Sequence, residues 1–380
     1  MKKIFISIVF GTRPELIKLA PVILLAKQDS RFQVEVIFTG QHDELVRDAI
    51  DFFGVEIDHR LKIMNAGQSL NQLLIHGLSQ IENVYTDGQK RDAIVIQGDT
   101  TTVLAAGLVA FSMKVPVAHV EAGLRSYDLD HPFPEEGNRQ LVSRITKWHF
   151  APTEQSKRNL LNEQIPLELI TVTGNTVVDA VYLGRKLISE KSDLKNQLEP
   201  YGIQLTLDDK VVLITAHRRE NFGGGIQNIC NAVEHLAHDH PDLHFIWPVH
   251  LNPAVHDVVH DKFKDHPQIH LVKPLDYPSL LAVIDRSTFI LTDSGGLQEE
   301  SPSFNKPVLI LRDTTERPEV VEVGAGVLVG TNQQKIIEEA EKLLTDQQHY
   351  EKMAHVENPF GDGQAAQRIL DQIAKSYELA

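Results

Sequence analysis

Cysteine is almost missing from this sequence: Cys230 is the one thiol in 380 residues. No internal disulfide can form, and the composition suits a reducing compartment. Long apolar runs are missing too, since no stretch approaches the roughly 20 apolar residues of a membrane span. The opening MKKIFISIVF puts two lysines ahead of an apolar run, but Gly11, Thr12, Arg13, Pro14 and Glu15 follow at once, without a small-residue cleavage pattern. It reads as a buried first strand, and the expected location is the cytoplasm. Basic residues are in deficit, 37 against 52 acidic ones, for a formal charge of -15. That balance excludes a general nucleic-acid or polyanion surface, so an anionic ligand needs locally gathered arginines.

Cofactor signatures are also scarce. No Walker A stretch occurs, GGGIQN around Gly223 lacks a preceding strand and the dinucleotide spacing, and VGAGVLVG near Gly324 is no closer. No nicotinamide is expected. His256 and His260 have helical metal-ligand spacing without a third ligand in view, so the 18 histidines do not amount to a metal site.

What is present is α/β alternation from end to end. Apolar β-rich runs (IFISIVF, VEVIFTG, AIVIQGD, VPVAHVE, WHFAP, LITVTGN) alternate with segments of helical periodicity, and the pattern restarts with VVLITAH, LHFIWPVH, IHLVKPL, FILTDSGG and PVLILRD. With 42% hydrophobic content over this length, two cores are expected. The reading is two Rossmann-like parallel-sheet domains facing across a cleft, over 1–175 and 176–362. The amphipathic segment 363–380 is expected to cross back to the first.

In open parallel sheets, ligands bind beyond the carboxyl ends of the strands. Here those ends carry GTRPE, TGQH, QGDT, HVEAG, TAHRREN, PVHLNP, TDSGG and LRDTTERPE. After FILTD, Ser294, Gly295 and Gly296 allow close backbone approach to an anion ahead of a helix expected from about Leu297. Glu300, one turn on, could accept bonds from both ribose hydroxyls. Arg13 and Lys18 suit phosphate oxygens, and of Arg312 and Arg317 the latter is better placed. Each has a plainer reading, as a helix start or a solvated cation. Asp99 precedes a helix and could be its N-cap. Glu121 ends a buried strand, where a charge is costly unless paired. Glu135 and Glu136 open a helix, where acids favour the dipole. His217 ends VVLITA and could be structural. Their shared location at strand ends is the argument.

Taken in order, GTRPELIKLAPV, QGDT, HVEAGLRS, PFPEEGNR, TAHRREN, PVHLNP, TDSGGLQEE and TTERPE resemble the non-hydrolysing UDP-N-acetylglucosamine 2-epimerases over nearly the whole chain. The resemblance implies the GT-B fold, UDP in the cleft, no metal, no nicotinamide and a homodimer. It also implies interconversion of UDP-N-acetylglucosamine and UDP-N-acetylmannosamine, as a precursor supply for cell-surface polysaccharide. Carbon 2 of that sugar has no neighbouring carbonyl to acidify its hydrogen. Stretching the bond from carbon 1 to UDP creates oxocarbenium character that does so, and this leads to anti elimination to 2-acetamidoglucal and UDP, then re-addition. Leaving UDP needs cations; a cationic sugar needs carboxylates, and protons must be handled on both faces.

By motif, the resemblance makes Asp99, Glu121 and Glu135 the acid/base and oxocarbenium-stabilising groups and His217 the donor to the departing phosphate. It gives UDP to Arg13, Lys18, Ser294, Gly295, Gly296, Glu300 and Arg317, with Leu275 and Leu280 beside the uracil. Gln41, Glu135, Arg218 and His250 match a pocket where some relatives bind a second UDP-N-acetylglucosamine as activator. Glu44 and Gly67 depart there from the glutamine and arginine expected of regulated relatives. The rivals are a hydrolysing 2-epimerase, a GT-B glycosyltransferase and a sugar-nucleotide sensor.

Overall fold

The computed structural model describes residues 3–41, 43–191, 198–203, 206 and 209–378, with the side chains of 43–45 and 191 excepted. It divides into two compact units, one of Met1–Leu183 with Phe360–Ala380 and one of Gly184–Pro359. The division falls inside the helix Thr176–Lys191 rather than at its start. The physical reason is that the first turns of this helix belong to the first core: Val177, Val178, Ala180 and Val181 are buried. Asp179 accepts the backbone N–H groups of Ala365 and Ala366 at 3.2 and 2.9 Å, which caps the C-terminal helix Ala365–Glu378. That helix packs against the helix Arg13–Gln28 of the same unit, with the Tyr377 ring 6.0 Å from Trp148 and Arg31 2.7 Å from Asp371.

The first unit is built on seven strands: β1 (Ile4–Phe10), β2 (Phe32–Phe38), β3 (His59–Arg60), β4 (Ala93–Gln97), β5 (Val117–Val120), β6 (Trp148–Ala151) and β7 (Ile170–Val172). They lie in the order β3-β2-β1-β4-β5-β6-β7 and every pairing is parallel. The second unit has β8 (Lys210–Thr215), β9 (Leu243–Pro248), β10 (Ile269–Val272), β11 (Phe289–Thr292), β12 (Val308–Ile310) and β13 (Gly326–Leu328). Their order is β10-β9-β8-β11-β12-β13, again all parallel. Each sheet therefore reverses its direction of growth once, between β1 and β4 and between β8 and β11, and such switch points are where open α/β sheets bind ligands.

Central strands buried on both faces read as continuous apolar runs rather than alternating ones. Ile6, Ile8, Val9 and Phe10 of β1 and Val211 to Ile214 of β8 are all essentially buried. Phe10 meets Phe38 at 5.3 Å between ring centroids, and Trp247, Phe245, Phe263 and Phe289 fill the second core. Truncating one of these rings to alanine costs about 3–5 kcal/mol. Among the described residues no helix is long and apolar enough to cross a membrane.

Candidate active site

In the first unit, three turns after adjacent strands gather the chemistry. The turn after β1 leads into the helix Arg13–Gln28, whose capping box joins Thr12 to Glu15. The turn sits close against the next layer: a Cβ on Gly11 would come within 2.3 Å of Thr102 Oγ1. Arg13 stands half-buried at the first helical position, and Lys18 one turn later reaches the end of β5, where its Nζ is 2.6 Å from Glu121 Oε2. Gln97, the last residue of β4, donates Nε2 to the same oxygen at 2.7 Å. Glu121 has the backbone of a left-handed residue, φ 66°, which side-chain-bearing residues rarely adopt. A buried carboxylate at a strand end thus has Lys18 and the Gln97 amide among its partners, which meets the need for pairing that its position in the sequence raised.

Asp99 is not the N-cap of the following helix. Thr100 caps Thr101–Ser112, its side chain accepting from Val103 N. Asp99 instead accepts Arg139 Nε at 2.9 Å and lies 2.7 Å from Arg139 Nη2, while Asn138 Nδ2 donates to its carbonyl at 2.8 Å. The two acids that open the helix Glu135–Ile145 have different fates. Glu136 is fully buried and accepts Ser126 N, Tyr127 N and Gln140 Nε2 at 3.0, 3.3 and 2.9 Å, with Arg139 Nη1 at 3.2 Å. Burial pushes its pKa up, but these donors outweigh it and the net direction is down. Glu135 is half-buried, and its carboxylate makes no hydrogen bond or ion pair among the described residues. Gln41 is placed nearby through Thr102, which donates Oγ1 to its Oε1 at 2.8 Å. The side chain of Glu44 lies outside the described residues.

A further buried carboxylate in this region is one that spacing did not single out. Glu15 Oε2 accepts Gly11 N at 2.7 Å and Thr12 N at 2.8 Å, while Thr100 donates to Oε1. It thereby ties the turn after β1 to the turn after β4, across the switch point. Burial pushes its pKa up to about 7, against the pull of those neutral donors. His119, on β5, donates its Nε2–H to Gly98 O at 2.7 Å, because a carbonyl oxygen can only accept. Burial lowers its pKa to about 4, so it is a neutral spacer rather than an acid.

In the second unit the turns after β8 and β11 meet. Asp293, fully buried, accepts His217 N at 2.7 Å, Arg218 N at 2.8 Å and Asn221 Nδ2 at 3.0 Å, all on Oδ2. Its Oδ1 lies 3.0 Å from His217 Nδ1. His217 keeps 38% side-chain exposure and stacks on His250, with 5.8 Å between ring centroids and 18° between planes. Arg218, half-buried, follows directly. After β11 the helix begins at Gly295, two residues before the expected start, with Ser294 at its N-cap position. The turn after β12 lays Arg317 over this helix start: a Cβ on Gly295 would stand 3.1 Å from the guanidinium carbon, so glycine is what lets the cation approach. Arg317 Nε donates to Glu299 Oε1 at 2.8 Å. Glu300 is buried one turn after Gly296. Arg312 is spoken for by Glu220 and Glu316 at 2.7 and 2.6 Å. Leu275 is buried just before the helix Tyr277–Arg286, and Leu280 is half-buried on it.

The structure thus brings together Arg13, Lys18, Asp99, Glu121 and Gln41 near one switch point, and His217, Arg218, His250, Ser294, Gly295, Gly296 and Arg317 near the other. Gln97, Glu15 and Asp293 are the residues that spacing missed. The signal that flagged Glu121, a polar group directly after a buried strand, also applies to Asp293, and Gln97 is the polar last residue of such a strand. His256 and His260 stack at 4.1 Å on the helix Pro253–Phe263. Among the described residues no group of three or more His, Cys, Asp or Glu is arranged to hold a metal ion.

Comparison with known proteins gives one consistent answer. Residues 25–374 match the family model described as UDP-N-acetylglucosamine 2-epimerase. A Yersinia pestis protein named UDP-N-acetylglucosamine 2-epimerase is 46% identical over 371 residues, covering 98% of each chain. The crystal structure of the Neisseria meningitidis UDP-GlcNAc 2-epimerase bound to UDP-GlcNAc superposes with a TM-score of 0.90 at 44% identity, over 98% of this chain and 100% of that one. That of the Methanocaldococcus jannaschii enzyme in complex with UDP-GlcNAc and UDP gives 0.81 at 36% identity, over 98% and 99%. With a family model spanning most of its length and relatives above 40% identity at nearly full coverage, this chain belongs to the UDP-N-acetylglucosamine 2-epimerase family.

Proposed function

We propose that this protein interconverts UDP-N-acetylglucosamine and UDP-N-acetylmannosamine without releasing free sugar. The observation that carries the reading is the nearly full-length match to relatives of that name. Arg13, Ser294, Gly295, Gly296 and Arg317 take the diphosphate, Glu300 the ribose, and Leu275 and Leu280 the uracil. Lys18 serves the phosphates and tunes Glu121, to which it is paired.

The bond from carbon 1 to the UDP oxygen breaks with its electron pair leaving on UDP, while a carboxylate takes the proton from carbon 2 on the opposite side. The products in the pocket are 2-acetamidoglucal and UDP. Re-addition of UDP to carbon 1 with protonation of carbon 2 from the other face gives the epimer. Asp99, Glu121 and Glu135 supply the proton transfers and face the cationic sugar, and His217 donates to the phosphate as it leaves. Glu135, without a partner among the described residues, is the group with least to break before it moves a proton. The product serves cell-surface polysaccharide synthesis, the protein acts as a homodimer, and Gln41, Arg218 and His250 serve a second UDP-N-acetylglucosamine as activator.

Incubation with UDP-N-acetylglucosamine in heavy water tests the reading, with carbon 2 followed by NMR. Deuterium at carbon 2 of intact nucleotide sugar of both configurations is the expected result. Release of free N-acetylmannosamine points to a hydrolysing enzyme, and an unchanged spectrum to a transferase lacking its acceptor or to a sensor; either overturns it.

A further inference from the structure

Asp293 is a charged group at the one place in the second unit where chain direction and chemistry meet. It follows β11 directly, and Oδ2 gathers three donors: the successive backbone N–H groups of His217 and Arg218, and Asn221 Nδ2. Asn221 Nδ2 also reaches Leu311 O at 3.0 Å, so the turns after β8, β11 and β12 are tied at this point.

The other oxygen is the informative one. Oδ1 is fully buried and makes no aligned hydrogen bond, yet His217 Nδ1 stands 3.0 Å away. A buried carboxylate oxygen without a donor is expensive, and a small rotation of the imidazole supplies a donor if Nδ1 carries hydrogen. The neighbouring ring is fixed in the opposite sense. His250 Nδ1 accepts the backbone N–H of Asn252 at 3.1 Å, so a neutral His250 has its proton on Nε2. A hydrogen on His217 Nδ1 would put the two stacked imidazoles in different tautomers, each set by its own partner. Burial pushes the Asp293 carboxyl up, but the His217 ring and the backbone donors outweigh it and keep it below the usual aspartate value.

We propose that Asp293 is a positioning residue that holds His217 as the Nδ1-protonated tautomer and leaves Nε2 as the ring atom that exchanges a proton with the ligand. The consequence for chemistry rests on the reading of His217 as donor to the departing phosphate; the tautomer itself does not. With Nδ1–H directed at a carboxylate, His217 takes a proton from solvent at Nε2 before the reaction, gives that proton to the phosphate oxygen as the bond from carbon 1 breaks, and is left as the neutral Nδ1–H ring that takes the proton back on re-addition. The anion beside Nδ1 stabilises the imidazolium that stands before departure and after re-addition.

The test is Asp293→Asn in the full chain, read by 15N NMR of the histidine rings and by steady-state kinetics. Asparagine keeps an oxygen for the backbone N–H groups and presents its amide hydrogens to His217, so the ring should switch to the Nε2-protonated form. The expected result is that switch together with a roughly 10- to 100-fold loss in kcat and KM within about threefold. An unchanged His217 tautomer in a folded Asp293→Asn protein overturns the proposal. A switched tautomer with unaltered kcat keeps the positioning role and removes His217 from proton transfer instead. Should the variant not fold, the wild-type spectrum alone decides: a His217 signal protonated on Nε2 and bare on Nδ1 near neutral pH contradicts the proposal.

Discussion

The two units share one plan and fill it with opposite electrostatics. Each sheet reverses its growth at a pair of central strands, and in each a buried carboxylate ties together the turns that leave that pair. In the first unit the tie is Glu15, with Gly11 N, Thr12 N and Thr100 Oγ1 as donors. In the second it is Asp293, with two backbone N–H groups, an asparagine amide and a histidine ring as neighbours. Burial raises the pKa of both, yet Glu15 ends at about 7 and Asp293 ends below its ordinary value. The difference lies in the neighbours: hydroxyl and backbone donors alone do not offset desolvation at Glu15, whereas a titratable ring beside Asp293 does. A topological position recurs in both halves, but whether it carries a standing charge is settled by what surrounds it.

Several substitutions break or sharpen this contrast. The largest effect is expected from Glu121→Gln, which removes a carboxylate proposed for proton transfer from the first unit while leaving the residues proposed to hold UDP in the second unit unchanged. Turnover should fall about 1000-fold or more while UDP affinity by calorimetry stays within a few-fold. Retained turnover would remove Glu121 from the mechanism.

Next in size is the proton linkage at Glu15. Its folded pKa lies above the unfolded value of 4.5, so the folded state holds this proton more tightly and the side chain's contribution becomes less favourable as pH rises from about 4.5 to 7. Glu15→Gln mimics the protonated form and removes that dependence. The urea-derived stability of the variant relative to wild type should therefore improve by roughly 2–4 kcal/mol between pH 5 and pH 8. A constant difference across that range would show that Glu15 is ionised throughout, and the contrast with Asp293 would vanish.

A change on the other unit addresses binding rather than chemistry. Glu300→Ala should weaken UDP about 10- to 30-fold with less than threefold change in kcat, in keeping with lost charge-assisted hydrogen bonds. Unaltered UDP affinity would withdraw the ribose assignment. The smallest effect is expected from Thr100→Ala, which removes a helix N-cap worth about 1 kcal/mol. It also removes the strongest of the donors that oppose burial at Glu15, so the pH dependence above should move to higher pH. If its midpoint does not move, Thr100 is a cap and nothing more.

Much of the architecture was readable in the chain because parallel sheets buried on both faces demand apolar runs that stand out from amphipathic helices. β1, β4, β8 and β11 all coincide with such runs. The strands that went unread are β3 and β13, two and three residues long at the sheet edges, too short to show any period. The helix Thr176–Lys191 was legible, but the division of units within it was not, because nothing local announces that its first turns bury against one core. The candidate residues were found as a group by their place at strand ends. Their partners were not: Lys18 and Glu121 are 103 positions apart, and His217 and Asp293 are 76.

Sequence alone determined the α/β alternation, the acidic balance and the list of polar groups at strand ends, since each follows from local composition and from the periods of helix and strand. Only the tertiary structure decided that Asp99 serves Arg139 while Thr100 caps the helix, that Glu136 is locked while Glu135 is not, and which carboxylates bridge the switch points. Those outcomes depend on which side chains meet after the sheet orders its strands, and on how far burial and donors shift each proton, neither of which any short window of sequence contains.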